Sequence, residues 1–195
     1  MRPLGKAYLD QGEPEMADHR GAPGAPSGAR VHTRGVVFVH SCPRALASHV
    51  EWGLADVLRQ PVMLDWAGQP VEPGTVRSEL SWTGEPGTAS RIVSHLSGWG
   101  RLRFEVTEEA TPRTEGERFS VTPRLGVFRA VVGVHGDIQV PEERLRGAIA
   151  RAALSGADLE DELTGLLGGP WDAELEVFRY AGKGTPVRWL HQVVS

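Results

Sequence analysis

Three side chains with nucleophilic or acid–base chemistry, His40, Cys42 and His49, fall in one stretch, Gly35–Trp52. A cysteine near histidine at a helix N-terminus can be held as a reactive thiolate. On that reading Cys42 would attack an acyl or thioester carbon, with His40 or His49 as base. The spacing does not complete the pair. Residues two apart at a strand end share a side without assured contact, and a base must reach its nucleophile.

His49, Glu51 and Trp52 follow on the same predicted helix. Positions two apart on a helix diverge by about 200°, so His49 and Glu51 do not face each other. Trp52 falls nearly opposite the apolar stripe. The C-terminal half is expected to cover it; otherwise it belongs to a binding surface. The expected surface comprises His40, His49, Glu51 and Trp52.

Other clusters offer less. His40, His49, His135 and Asp137 have no metal-ligand spacing, and the chain has no His-x-x-x-His and no second cysteine. No metal and no cofactor is expected. Gly84-Glu-Pro-Gly-Thr88 could present backbone N–H groups to an anion, but it lacks the lysine of a phosphate loop, and Glu85 opposes a phosphate. It reads as a turn that starts a helix. Arg101, Arg103, Arg118, Arg124 and Arg129 interleave with Glu105, Glu108, Glu109, Glu115 and Glu117, which reads as a solvated sheet face. Phe38, Trp82 and Phe104 fall on the apolar phase, against RNA stacking.

These residues depend on the elements that hold them. Val36-Val37-Phe38-Val39 is an all-apolar run, which predicts a central strand buried on both faces. Ser41 is read as the cap of the next helix and Pro43 as part of its first turn. That helix carries Leu46, Val50, Leu54 and Val57 inward and stops before Pro61. Val62–Leu64 begins a second strand. Val76, Ser78, Leu80 and Trp82 alternate as a third. A helix from Gly87 to Ser97 precedes a fourth strand with Leu102, Phe104 and Val106. The order β-α-β-β-α-β predicts a ferredoxin-like half, with the fourth strand at an edge. A hairpin, Arg118–Pro123 and Val127–Val134, follows. Then come helices after Pro141, after Asp158 and over 171–180, and a last strand in Pro186–Val194. The fold class is therefore α+β: residues 34–109 form the ferredoxin-like core, and 110–195 a hairpin and C-terminal helices packed on it. Residues 1–33, rich in Gly, Pro and Ala, are expected to be a disordered tail, and Met16 offers translation a later start.

Composition bounds the rest. The 195 residues carry a net charge of −4, so no global basic field draws the chain to nucleic acid or anionic lipid. One cysteine excludes an internal disulfide. No apolar run approaches the roughly 18 residues of a membrane span, and, with no apolar stretch near its start, the sequence is not expected to carry a secretory signal. A cytoplasmic protein is expected.

The stretch Gly35–Leu54 resembles the signature of an uncharacterised family of small actinobacterial proteins, a domain of unknown function. The shared pattern is a strand ending in histidine (His40), a proline soon after (Pro43), then His49-Val-Glu-Trp52. The resemblance extends to Gly87-Thr88, Arg103-Phe-Glu-Val-Thr-Glu108, Thr122-Pro-Arg-Leu-Gly126, Gly136-Asp137 and Leu145-Arg146, most of 34–195. It assigns no activity. It implies a setting near fatty-acid synthesis, around acyl carriers or acyl-CoA. Other members often have a different small residue at the position of Cys42, which departs from a nucleophile. Two readings stand. One is a non-enzymatic binding or regulatory protein for a protein partner or small ligand. The other is an enzyme on an acyl or thioester substrate.

Overall fold

The structure, a computed structural model, describes residues 31–181. The predicted tail (all but its last three residues) and the predicted last strand lie outside them. The chain forms both sheet and helix, an α+β fold. The elements are β1 Thr33–Pro43, α1 Ala47–Leu58, β2 Ala67–Gly68, β3 Thr75–Gly84, α2 Thr88–Leu96, β4 Arg103–Glu108, β5 Gly116–Thr122, β6 Gly126–Val132, β7 Ile138–Gln139, α3 Glu142–Ser155, α4 Leu159–Leu167 and α5 Gly169–Tyr180.

All seven strands join one antiparallel sheet in the order β2-β3-β1-β4-β5-β6-β7. The register explains the two-sided burial of β1. Val37 pairs with Val106, which pairs with Phe119. These three join Val50 and Leu54 of α1 and Ile92 and Leu96 of α2 in one core. The opposite phase is a row across four strands: Phe38, Glu105, Ser120 and Phe128. This face is covered by α5, which packs on β1 and β5 and buries Leu175 and Phe178. In turn α4 packs on α5, and α3 on α4.

Three expectations change: Val62–Leu64 lies outside any strand, β2 being Ala67–Gly68, and two more concern β4 and β1. First, β4 is not an edge, because the β5–β6 hairpin adds strands beyond it. Its wet-looking phase, Arg103-x-Glu105, faces α5 instead of water. Second, β1 does not stop at His40. It runs through Pro43, with a break in register between Val39 and Cys42. Ser41 therefore caps no helix; its hydroxyl donates to the Glu72 carboxylate. A 3-10 turn, Arg44–Leu46, comes before α1.

The start of α2 is held from a distance. Gly87, at φ 87°, takes a left-handed turn that suits a residue without Cβ. The Glu108 carboxylate on β4 then accepts from Gly87 N at 2.7 Å and Ala89 N at 2.9 Å. The N–H groups that the sequence offered to an anion are taken by the chain's own carboxylate.

Candidate functional site

His40, two residues after Phe38 on β1, shares the α5 face with it, and its ring lies 4.5 Å from that of Phe38. Its Nε2 is 2.7 Å from Glu105 Oε2, and both side chains are 1% exposed. Arg179 of α5 binds the same carboxylate twice: Nε to Oε2 at 2.9 Å and Nη2 to Oε1 at 2.6 Å. Ser120 Oγ and Arg118 Nη2 each donate to Oε1 at 3.2 Å. Asp172, also on α5, accepts from Arg118 and, at 2.7 Å, from Arg179. Beside this group, Arg103 lies 4.7 Å above the Phe178 ring.

Burial and neighbouring charges set the direction in which each of the two groups is shifted. Burial lowers the His40 pKa, and Arg179 and Arg77 push the same way; the hydrogen bond and charge of Glu105 oppose them, and the net direction is down. Burial alone would raise the Glu105 carboxyl. Hydrogen bonds from His40 and Arg179, and the charge of Arg179, reverse that and hold it well below the usual carboxylate range. A neutral imidazole thus sits beside an ionised carboxylate shared by two guanidiniums. With Nε2–H donating to Glu105, Nδ1 is a buried acceptor that finds no partner among the described residues. This cluster fastens α5 to the sheet; its centre, His40 and Glu105, is closed to solvent, while Asp172 at its rim is 37% exposed.

Cys42 is equally enclosed. It pairs with Val76 inside the sheet, not at a helix N-terminus. Its thiol contacts Pro43 O at 3.3 Å, and burial pushes its pKa up to about 11. The thiolate argument made from sequence therefore loses both premises, and His40, Cys42 and His49 do not converge. His49 is exposed on α1, across the sheet from the face that holds His40.

What the structure does bring together is His49 and Trp52. Their ring centroids are 5.1 Å apart. Trp99 stands edge-on to His49 at 6.4 Å and to His95 at 6.3 Å, so a four-ring group spans α1 and α2. Gly53 permits the close crossing: a Cβ there would come within 2.7 Å of His95 Cδ2. Trp52 is 66% exposed, and the described part of the C-terminal half does not cover it, contrary to expectation. Glu51 faces elsewhere. Its carboxylate accepts from Leu64 N at 2.9 Å and Trp66 Nε1 at 3.1 Å, tying the loop after α1 to the helix. Of the four surface residues expected from sequence, only His49 and Trp52 share a surface.

A family model described as "Protein of unknown function (DUF3145)" matches residues 36–192. The chain belongs to this family. Membership in DUF3145 covers the whole described sheet from Val36 onward and both helix layers, but names no activity for any residue. No curated protein and no solved structure matches the chain.

Sequence reasoning missed Arg179 and Asp172 as members of the buried cluster, and His95 and Trp99 as members of the exposed one. The paired phase of β4 and β5, with Glu105 opposite Ser120 and Arg118 two residues along on the same face, is a signal in the sequence. From sequence alone that phase reads as a wet face. Among the described residues no group of His, Cys, Asp and Glu could hold a metal ion; His135 is exposed beyond β6. A groove between the end of α2 and the β5–β6 turn is lined by Leu96, Gly100, Phe104, Val121 and Val127, none of them a candidate from sequence. Among the described residues no helix is long and apolar enough to cross a membrane.

Proposed function

We propose that this chain is a non-enzymatic binding protein, and that the outer face of α1 and α2 receives a protein partner. The observation that carries this is the exposed Trp52 within a group of four rings. A large exposed aromatic is the commonest kind of binding anchor. The rest of the fold supports the reading by rigidity. Both core layers back the face, and the buried Glu105 cluster pins α5 on the far side.

The strand order β2-β3-β1-β4, with α1 and α2 on one face, supports treating the first four strands as a ferredoxin-like unit. In this reading the hairpin extends that unit and α5 closes its open face. A single reduced cysteine suits a cytoplasmic setting. The link with fatty-acid synthesis implied by the family resemblance is the setting in which a partner would be sought first.

A photo-crosslinking residue at Ser48, beside His49 on α1, tests the face. In native lysate it should give a discrete adduct that is lost when Trp52→Ala is added. The same probe at Glu143 on α3 serves as control. No adduct at Ser48, or one that persists without Trp52, contradicts the proposal.

A further inference from the structure

The helices on the two faces of the sheet differ in charge. From Arg44 to Arg59 and from Gly84 to Arg101, covering α1, α2 and their flanking turns, the charged residues are Arg44, Arg59, Arg91 and Arg101 against Glu51, Asp56 and Glu85. The four arginines are exposed. Of the three acids, Glu51 is turned to Leu64 N and Trp66, Asp56 is paired with Arg59 at 3.2 Å, and Glu85 lies in the turn before α2. Helical spacing sets Asp56 and Arg59 along the stripe of Trp52, and Arg91 along that of His95. On the other face, 142–180 carries nine acids and four arginines. The chain as a whole is acidic at −4, whereas in these segments the arginines outnumber the acids.

Building on the binding face proposed above, we infer that its occupant is an acidic protein segment with an aliphatic or aromatic anchor. The anchor packs against Trp52 and Trp99, and the acidic groups meet Arg59 and Arg91. The acidic far side repels the same partner, which orients its approach. A nucleic acid fits less well: the face has no lysine, and a partly neutralised set of four arginines is a thin match for a phosphate backbone.

Selection of a displayed library of short random peptides on the immobilised full chain tests this. Enrichment of Asp/Glu residues flanking an aromatic or aliphatic residue is expected. The enriched peptide, made synthetically, should weaken with added salt. It should lose about tenfold or more in affinity on Trp52→Ala, and lose affinity on Arg91→Glu. Enrichment of neutral or basic peptides overturns the inference, as does binding unchanged by either substitution. Stronger Trp52-dependent retention of poly(U) or of phosphatidylserine vesicles also overturns it, in favour of those classes. No enrichment while the Ser48 adduct persists defeats this inference alone; no enrichment and no adduct defeats the binding face as well.

Discussion

His40 Nε2 lies 2.7 Å from Glu105 Oε2 at the centre of the α5 face, and neither side chain reaches water. The histidine that ends the apolar run is therefore part of a charge cluster that holds a C-terminal helix on the sheet. Burial of an ion group is tolerated when every charge has a partner and is costly when one is removed.

Glu105→Ala should leave Arg179 and Arg118 facing each other without their shared carboxylate. A loss of about 3–5 kcal/mol is expected, read from urea unfolding. Ser120→Ala, which removes one longer hydrogen bond, should cost about 1 kcal/mol. Equal losses for the two would contradict the central place given to Glu105.

The pH dependence has two steps, and the sign of each follows from the direction of its shift. His40 has its folded pKa below the ordinary 6.5. The unfolded state then binds the proton more readily, so stability is intact above about pH 6.5 and falls as the pH drops below it. Glu105 is also lowered on folding. Its contribution is present above the ordinary carboxylate value of 4.5 and is lost as the pH falls below that value. His40→Gln should flatten the first step and keep the second, seen in unfolding free energy measured across that range. A first step unchanged by the substitution would contradict the buried neutral histidine.

Cys42 should behave as an inert thiol. With its pKa near 11 and its side chain enclosed by β3 and α1, native protein at about pH 8 should label with a maleimide only at the rate of opening. Urea should bring full labelling. Fast native labelling would restore the reactive-thiol reading.

Glu108→Gln should weaken the cap on α2, because a carboxylate at a helix N-terminus supplies both acceptors and charge. A cost of about 1 kcal/mol, seen as a lower Tm, is expected. Since α2 carries His95, the same variant should also loosen the aromatic face, seen as a change in tryptophan fluorescence. An unchanged Tm would contradict the assignment of Glu108 as the cap.

Much of this was legible in local pattern. The all-apolar run of β1, the stripes of α1 and α2, the β5–β6 turn and the Asp158 cap, which accepts from Glu160 N at 2.8 Å, all follow from neighbouring residues. What local pattern could not supply was which side of β4 is wet. Arg103-Phe-Glu-Val-Thr reads as a half-exposed edge because its polar partners, Arg179 and Glu174, sit far along the chain on α5. The end of β1 failed for a related reason. Ser41 and Pro43 are common at helix starts, yet Ser41 is claimed by Glu72 and the strand pairs on to Pro43. On α1, helical spacing placed Trp52 outward but could not show that Trp99 and His95 of α2 stand beside His49.

The most direct test of the binding face is one variant measured two ways. Trp52 is mostly exposed, so Trp52→Ala should leave the unfolding free energy within about 0.5 kcal/mol of the parent. The same variant should lose the proteins that the parent chain captures from native lysate. An unchanged set of captured proteins, with the fold intact, would contradict the account.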